Sequence, residues 1–426
     1  MFYAWAEPIY VMILLAQCAF AWALGLLIEK HRGRKAAKVI MIASIVISLS
    51  ALLVFKYTDF ILQSLGRIAS TNIGLLGLAL PIGISFYTFQ ILSYTIDLYK
   101  GKIQVNRNFL DFSTYVTMFP QLVAGPIVRY TNVERELSKR RHSAEDIAIG
   151  LRRFIIGLGK KVLIANVMGE LVDLYKLSSE SSLLFAWLYV AAYALQIYFD
   201  FSGYSDMAIG LGRVLGFRFL ENFNYPYIAK SITEFWRRWH ISLSSWFKDY
   251  VYIPMGGSRA SAMRHVANII VVWMLTGFWH GANWNFIAWG LYFAAILLAE
   301  KLLLKNILEK MPGIIRHAYV MVLVLISWVF FDNQSLAQIG ETVSRLFGVG
   351  TDNIAGMEST YYLRSYLVPM IIGIVGCTPI PKALAAKLKE TKSIVILEPL
   401  ALGVLLIVTT AYLVDGSFNP FIYFRF

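Results

Sequence analysis

The sequence contains very few cysteines and few charged residues. Of its 426 residues only 2 are cysteines, Cys18 and Cys377, and both lie inside apolar runs. Two isolated cysteines form neither a disulfide framework nor a metal-ligand spacing, so we interpret both as packing residues and predict no metal site. Charged residues make up 15% of the chain, well below the ~25% that is usual in soluble domains. No polar stretch is long enough to bury a core of its own, which excludes a separate soluble domain.

What the sequence does contain is apolar. Hydrophobic residues make up 58% of it and the mean hydropathy is +0.60. Apolar runs of about 20 residues recur along the whole length, which is typical of an all-α polytopic membrane protein. We therefore expect a single membrane-embedded domain over residues 1–426. The N-terminus lacks the basic region of a cleavable signal peptide, so the first apolar run is expected to remain as a membrane span.

Hydropathy predicts ten spans. They cover residues 4–28, 37–55, 73–96, 148–171, 183–207, 266–281, 284–304, 314–331, 362–377 and 394–413. The two long segments between them, 97–147 and 208–265, mix aromatic residues, prolines and charges. Short apolar stretches broken by proline and glycine indicate re-entrant or interfacial helices, which exist at membrane depth only where protein covers them.

The basic residues predict the orientation. Most of the 39 lysines and arginines fall in every second connection between the predicted spans, including both long segments. The positive-inside rule makes that side cytoplasmic and places both termini outside. The net charge of +13 is therefore interpreted as a topology signal, and no nucleic-acid partner is expected. A basic cytoplasmic mouth would also attract an anionic, phosphate-bearing donor.

The segment 276–284 places a histidine deep in an apolar region. His280 follows the apolar run 266–278 and lies among Trp273, Trp279 and Trp284. At 1.5 Å per residue the imidazole lies roughly 20 Å beyond the cytoplasmic boundary, past the middle of the bilayer. Ionisable groups at that depth usually mark a function, although a histidine that only packs against a neighbouring helix remains an alternative.

The segment 231–250 contains a second histidine among tryptophans. Ser231 or Thr233 would cap an amphipathic interfacial helix whose aromatic residues lie in the headgroup region and whose basic residues face water or lipid phosphate. This helix explains most of the segment but not His240. The residues alone leave His240 open between a structural partner and a catalytic assistant.

A carboxylate enters the membrane region in the segment 199–206. Asp200 shares a helical face with Tyr193, Gln196 and Gly203. An uncompensated acid at mid-membrane costs about 3 kcal/mol on insertion scales, so we expect a partner such as an arginine or a histidine. A salt bridge that fixes helix order is at least as good an explanation for Asp200 as a role in chemistry.

Taken together, these segments resemble the membrane-bound O-acyltransferase (MBOAT) family, and within it the branch that O-acetylates alginate. The resemblance is carried by residues 198–212, 221–250 and 276–284, and also by 115–130 and the ending 419–424. The family's catalytic histidine falls on His280, and its second motif histidine falls on His240. Residues 198–290 would contain the catalytic centre. Further candidates for the substrate tunnel are Trp279, Trp236, Trp239, Asn283, Asp200 and Arg237.

The resemblance implies a fold and a reaction. About ten or eleven transmembrane helices, with re-entrant helices, would surround a tunnel that joins a cytoplasmic donor site to an outward acceptor site. In that reading His280 is the general base, and His240 orients the thioester or stabilises the developing oxyanion. The donor would be acetyl-CoA, with no bound cofactor. The protein would lie in a bacterial cell membrane, in contact with membrane lipids, and would serve a polysaccharide or an extracytoplasmic SGNH-type acetyltransferase.

The sequence departs from the family pattern at one place, and several alternative functions remain open. Residues 2–5 resemble a motif that family members carry after an additional N-terminal span, so the chain is expected to begin about one helix late. D-alanyl transfer to teichoic acid from a carrier protein is an alternative within the family. A transporter or flippase would also show broken helices and buried charges, but it should show internal repeats, and the sequence has none. A non-catalytic scaffold for polysaccharide export is disfavoured by the intact pair Trp279 and His280.

Overall fold

A computed structural model describes residues 2–388, 394–416 and 421 of the chain. The described residues form helices and no β-strand, which confirms the predicted all-α class. Both cysteines are buried and free, as predicted. Of the family-like ending 419–424, all but Phe421 lies outside the described residues. The helices are α1 (Phe2–Ala6), α2 (Tyr10–Lys30), α3 (Lys35–Leu52), α4 (Thr58–Ala69), α5 (Ile84–Tyr99), α6 (Phe109–Thr117), α7 (Phe119–Leu122), α8 (Tyr130–Ser138), α9 (Ala144–Gly159), α10 (Asn166–Leu177), α11 (Leu183–Val214), α12 (Ile232–Arg238), α13 (Ile241–Phe247), α14 (Ala262–His280), α15 (Trp284–Ala299), α16 (Lys305–Lys310), α17 (Gly313–Asp332), α18 (Leu336–Leu346), α19 (Met357–Gly376), α20 (Ile380–Leu388) and α21 (Ile394–Asp415).

Several helices are followed directly by a π-helical turn. Such turns cover Leu53–Tyr57, Lys160–Ala165, Lys248–Tyr252 and Glu300–Leu304. The first joins α3 to α4, and the last joins α15 to α16, so that Lys35–Ala69 and Trp284–Lys310 are each long enough to cross a membrane. Single π-turns inside α-helices are frequent at functional sites.

Six helices in the described part of the chain are long and apolar enough to span a membrane. A seventh is obtained if α19 and α20, which are bent by 74° at their junction, count as one span. The six are Tyr10–Lys30, Lys35–Ala69, Leu183–Val214, Trp284–Lys310, Gly313–Asp332 and Ile394–Asp415. The chain is therefore a multi-pass membrane protein, with fewer spans by these criteria than the ten predicted.

The predicted span 73–96 is wrong in its first half. Residues 72–81 have no regular structure, and the helix begins only at Ile84. Gly83 has φ +75°, and a Cβ atom there would lie 2.3 Å from the Leu122 carbonyl oxygen, so the chain turns where only glycine fits. The Asp59 carboxylate accepts the N–H groups of Leu76 and Gly77 at 2.8 and 3.0 Å, and so supports the irregular segment.

Two further predicted spans differ from the simple helices expected. The run 148–171 is helical, but it is divided into α9, a π-turn and α10, and Arg152, Arg153, Lys160 and Lys161 lie within it. The run 266–281 lies in α14, whose polar residues Arg264, His265 and His280 lower its mean hydropathy. Both elements form as helices, but each has polar residues that a lipid-facing span would lack.

The chain divides into two compact units. The first unit comprises Met1–Leu151, Ala208–Glu221 and Ser245–Pro254. The second unit comprises Arg152–Met207, Asn222–Ser244 and Met255–Phe426. All the residues that the sequence singles out as candidate site residues belong to the second unit, so the candidate site is described within that unit alone.

Candidate active site

His280 is the last residue of α14, and the backbone packing of α14 against α15 fixes its position. A Cβ atom on Gly277 would lie 2.1 Å from the Phe286 carbonyl oxygen, and one on Gly290 would lie 2.2 Å from the Trp273 carbonyl oxygen. The two helices therefore approach so closely that only glycine fits at either crossing position. Asn283 then caps α15 by accepting the Trp284 N–H at 2.7 Å, so the second helix starts immediately after the first ends.

Aromatic rings enclose the His280 imidazole. The centroids of Trp279, Trp289 and Phe331 lie 4.9, 5.1 and 5.3 Å from the imidazole centroid, and all three rings are steeply inclined to it. Only 4% of His280 is exposed. Edge-on aromatic packing of this kind holds the imidazole in one orientation and excludes water from it. Trp284, which the sequence also placed around His280, is instead 47% exposed.

His240 lies at a break between two short helices. Ser231 caps α12 by accepting the Glu234 N–H at 3.0 Å, as the sequence predicts. The predicted amphipathic helix does not continue to residue 250, however, because α12 ends at Arg238 and α13 begins at Ile241. His240 has φ +43°, a left-handed conformation that is uncommon for residues other than glycine. The strain re-aims the side chain, and 0% of it is exposed.

The side chain of Asn222 holds the His240 ring. Its Oδ1 atom lies 3.1 Å from His240 Nδ1 and also accepts the Ser242 N–H at 3.2 Å and the Ser242 hydroxyl at 2.8 Å. A backbone N–H can only donate, so the atom that receives it must be the amide oxygen and not the amide nitrogen. The Asn222 Nδ2 atom correspondingly donates to the Ser205 hydroxyl at 3.2 Å. Oδ1 can only accept, so His240 Nδ1 carries a proton.

This arrangement determines what His240 can do. Because Nδ1 holds the proton, the Nε2 atom of the neutral ring presents a lone pair. Within the described residues this buried Nε2 atom has no hydrogen-bond partner. Burial also lowers the pKa of His240 to about 3, so the ring is neutral at any working pH. A neutral ring in this tautomer accepts a hydrogen bond at Nε2, and it does not donate one to an oxyanion.

The two histidines lie side by side. Their ring centroids are 6.5 Å apart, and the rings are inclined by 62°. Trp279 lies beside both, 6.0 Å from His240 and 4.9 Å from His280. The structure therefore brings together both histidines and one of the three tryptophans that the sequence proposed for the site.

The other proposed site residues have mostly structural contacts. Trp236 packs 5.6 Å from Trp289, which in turn packs against His280, and so supports the site from behind. Trp239 is buried against Trp328 at 4.9 Å. Asn283 caps α15 and donates to the Gln334 carbonyl oxygen at 3.1 Å. Arg237 lies exposed on α12.

Asp200 has the charged partner that the sequence requires, but the partner is a lysine and not an arginine or a histidine. Lys161 Nζ lies 2.5 Å from Asp200 Oδ1, and the carboxylate is almost fully buried. Asp206, one turn and a half later, is held in the same way by Arg153 at 2.8 Å and Lys160 at 2.6 Å. These pairs fasten α11 to the α9–α10 region, and this favours the helix-ordering explanation for Asp200.

Sequence reasoning missed the residues that support the two histidines. Asn222 determines the proton position on His240, Ser242 donates to the same amide oxygen, and Phe201 packs against the imidazole ring at 4.6 Å. Trp289 and Phe331 enclose His280. Only Ser242 is near its histidine in the sequence. Asn222 is 18 residues from His240, and no continuous helix or strand joins the two positions.

Comparison of the sequence with known proteins identifies the protein family to which the chain belongs. A family model described as "MBOAT, membrane-bound O-acyltransferase family" matches residues 95–336. The probable alginate O-acetylase AlgI of Pseudomonas aeruginosa is 39% identical over 387 residues, 88% of this chain and 74% of that protein. The corresponding protein of Pseudomonas putida is 35% identical and covers 100% of this chain and 92% of its own length. A peptidoglycan O-acetyltransferase of Helicobacter pylori is 34% identical over 82% of this chain and 72% of that protein. The chain therefore belongs to the membrane-bound O-acyltransferase family and is a multi-pass O-acyltransferase.

Proposed function

We propose that this enzyme transfers an acetyl group from acetyl-CoA to a hydroxyl group in the O-acetylation of a polysaccharide. The names of its relatives support this assignment, because both alginate and peptidoglycan carry sugar hydroxyls and the named activities are O-acetylations. The observation that carries the chemistry is the buried pair of imidazoles, His240 and His280, with ring centroids 6.5 Å apart.

His280 is the general base in this proposal. Its imidazole takes the proton of the acceptor hydroxyl while the hydroxyl oxygen attacks the thioester carbonyl carbon. The new C–O bond forms, the C–S bond breaks, and the proton passes from His280 to the departing thiolate, which leaves as the free thiol. A positioned imidazole contributes about 10²–10⁴-fold to such a proton transfer. The aromatic enclosure favours the neutral ring that a base requires.

His240 acts beside it as a hydrogen-bond acceptor. The lone pair on Nε2 orients a substrate group that carries an N–H or O–H, such as an amide of the donor's pantetheine arm or the acceptor hydroxyl. Of the two roles that the family resemblance offers for His240, orienting the thioester donor is compatible with the tautomer. Stabilising the oxyanion is not, because that role needs a donor at Nε2.

The direction of transfer follows from the predicted topology. The donor enters from the cytoplasmic side, where the basic residues concentrate, and the acceptor is outside the membrane. The cell membrane of a bacterium is the proposed location, since the named relatives are bacterial. The acceptor is the polysaccharide itself or an SGNH-type acetyltransferase that passes the acetyl group on.

Replacing His280 with alanine tests the catalytic role. Thioester cleavage by the purified protein should fall by about 10²–10⁴-fold, the contribution of a positioned base, while the size-exclusion profile stays unchanged. The matched control is His31→Ala, because His31 is partly exposed, follows the end of α2 and has its side-chain Nδ1 atom 3.0 Å from the Leu27 carbonyl oxygen. The role assigned to His280 is wrong if its alanine variant retains more than a few per cent of the activity that the control retains.

A panel of isotopically labelled donors tests the substrate. Acetyl-CoA, longer acyl-CoA donors and a D-alanyl-thioester carrier protein are offered in turn, and transferred label is detected by mass spectrometry on a polysaccharide acceptor and on acceptor-protein candidates. Acetyl-CoA should support the fastest transfer. Transfer from the carrier protein alone would replace acetylation by D-alanyl transfer, without affecting the role of His280.

A further inference from the structure

A cavity in the first unit collects basic side chains from separate parts of the chain. Its volume is about 310 Å³. It lies between the end of α8, the segment 139–143, the start of α9 and the segment 213–218 at the end of α11. Five basic side chains line it against two acidic ones, which leaves a formal charge of +3. The basic residues are Arg135, Lys139, Arg141, Arg213 and Arg218.

One of the two acids in the lining, Asp146, is already neutralised by arginine. Its Oδ1 atom accepts a hydrogen bond from Arg213 Nε at 2.8 Å and lies 3.8 Å from Arg218. The hydrogen bond from Arg213, and then that from Ser143, holds the pKa of Asp146 below its ordinary value. Asp146 therefore stays charged and fastens the first turn of α9 to the last turn of α11.

Three other basic residues of the cavity have no acidic partner of this kind among the described residues. Within the described part of the chain, the side chains of Arg135, Lys139 and Arg141 form no ion pair. Glu136 is the one other acid in the lining. Three cations thus face a space that contains one carboxylate, and an anionic ligand would complete the charge balance there.

A close backbone contact at Gly216 brings these basic side chains together. Gly216 has φ +82°, and a Cβ atom there would lie 3.1 Å from His142 Cε1 and 3.2 Å from the Arg141 carbonyl oxygen. The segment 139–143 therefore lies directly over Gly216, and the Arg140 guanidinium covers the ring of buried Phe217 at 5.2 Å. The positive-inside rule accounts for basic residues on this side of the membrane. It does not account for a glycine-dependent contact that gathers them around a cavity.

We infer that this cavity binds a phosphate-bearing anion. Arginine guanidinium groups bind phosphate oxygens in bidentate geometry, and a lysine adds a mobile point charge. A volume of about 310 Å³ is at the lower end of the range for small-molecule sites and suits a phosphate headgroup better than a whole cofactor. The phosphate belongs either to an anionic lipid or to a soluble phosphate compound. The inference does not depend on the acetyl-transfer proposal.

The test compares two variants with the same loss of charge. The cavity variant neutralises its three unmatched cations. The control variant neutralises three exposed basic residues at the start of α3, also in the first unit. The cavity variant is Arg135→Gln, Lys139→Gln and Arg141→Gln, and the control is Arg34→Gln, Lys35→Gln and Lys38→Gln. Lys139→Gln alone is a milder second variant, because Lys139 is exposed and lies outside any helix.

Binding is measured by native mass spectrometry on full-length protein with phosphatidylglycerol, with neutral diacylglycerol and with adenosine 3′,5′-bisphosphate. Wild type and control should bind at least one phosphate probe tenfold more tightly than the cavity variant does, and the single variant should lie between them. Retention of phosphatidylglycerol alone identifies a lipid headgroup site, and retention of the bisphosphate alone identifies a soluble ligand. The inference is overturned if wild type retains neither phosphate probe above the diacylglycerol level. It is also overturned if the cavity variant binds the probes as wild type does. If the cavity variant does not fold, the single variant Lys139→Gln takes its place in this comparison.

Discussion

Asn222 is the residue whose substitution tests the proposed chemistry most directly. Its side-chain oxygen accepts hydrogen bonds from His240 Nδ1, the Ser242 backbone and the Ser242 hydroxyl at 3.1, 3.2 and 2.8 Å. Asn222→Leu keeps the branched shape of the side chain and removes all three acceptor contacts at once. The longer contact between the Ser242 hydroxyl and His240 Nδ1, at 3.5 Å, then remains, and the His240 proton can move to Nε2, where it blocks the lone pair that the proposed substrate contact needs.

The magnitude follows from the three lost contacts. A buried donor without a partner costs about 1–3 kcal/mol, and two donors, the imidazole N–H and the Ser242 backbone N–H, cannot reorient. We therefore expect a loss of roughly 2–6 kcal/mol in the free energy of unfolding, which is a large part of the 5–15 kcal/mol typical of folded proteins. A lost hydrogen bond of about 1 kcal/mol changes the ratio of the two tautomers about fivefold, so turnover in the protein that remains folded should fall by up to about fivefold.

Asn222→Asp separates the tautomer effect from simple destabilisation. The carboxylate keeps the acceptor for His240 and Ser242, so Nδ1 keeps its proton and activity near neutral pH should persist. A negative charge at that distance raises a histidine pKa by about 1–3 units, so His240, whose pKa is about 3 with Asn222 beside it, should titrate between about pH 4 and 6. An acidic fall in activity should therefore appear in this variant. Ser242→Ala, which leaves the contact between His240 and Asn222 intact, is the matched control.

The assays are thioester turnover as a function of pH and ¹⁵N magnetic resonance of labelled histidine, which distinguishes the two tautomers. Wild type and Asn222→Asp should show the Nδ1–H form of His240, and Asn222→Leu should not. A wild-type spectrum with the proton on Nε2 would refute the hydrogen-bond assignment. Unchanged turnover per folded molecule in Asn222→Leu would reduce Asn222 to a structural residue.

Three further predictions concern the supports of the site and its pH dependence. Gly277→Ala puts a Cβ atom 2.1 Å from a carbonyl oxygen of α15, and overpacking of this kind costs about 1–3 kcal/mol, so the thermal midpoint of unfolding should fall. Gly340→Ala is the control, because a Cβ atom there meets no atom within 4 Å and the midpoint should not fall. Glu300→Ala removes the acceptors of the first two N–H groups of α12, at 2.7 and 3.1 Å, and each lost charged hydrogen bond should cost about 1.5–3 kcal/mol in chemical denaturation. Because burial lowers the pKa of His240 to about 3, the unfolded chain binds more protons than the folded one below about pH 6.5. Stability should therefore fall as pH drops through that window, and His240→Gln should show a smaller fall; an equal fall in both proteins would contradict the assigned pKa.

The sequence predicted the class of the fold because hydropathy is a local property. The helices α2, α11, α15, α17 and α21 all overlap predicted spans. The errors occur where a distant contact decides the local structure. The run 73–83 is apolar enough for a helix, yet Asp59 and the backbone of Leu122 hold it in an irregular path. Hydropathy does not distinguish an apolar helix from an apolar irregular segment.

The site was predicted in part for the same reason. His280 could be placed because its helix and the aromatic residues beside it are continuous in the sequence. The break at His240 could not, since nothing in the surrounding residues predicts a left-handed histidine with φ +43° in an amphipathic run. Asn222 could not be predicted either, because its contact with His240 arises from the path of the chain between the two residues.

In the second unit the acids have charged or backbone N–H partners, whereas buried His240 has neutral side-chain partners, and this difference supports the assignment of roles. Asp200 and Asp206 are paired with lysine or arginine, and Glu300 accepts backbone N–H groups, so each buried negative charge is matched. The hydrogen-bond partners of His240 are neutral side chains. In a hydrolase triad a carboxylate stabilises the imidazolium that forms as the base takes its proton. His240 has an amide in that place, so it is poorly suited to hold a second proton and well suited to accept a hydrogen bond. In the proposed mechanism the proton of the acceptor hydroxyl therefore goes to the other imidazole of the pair, His280.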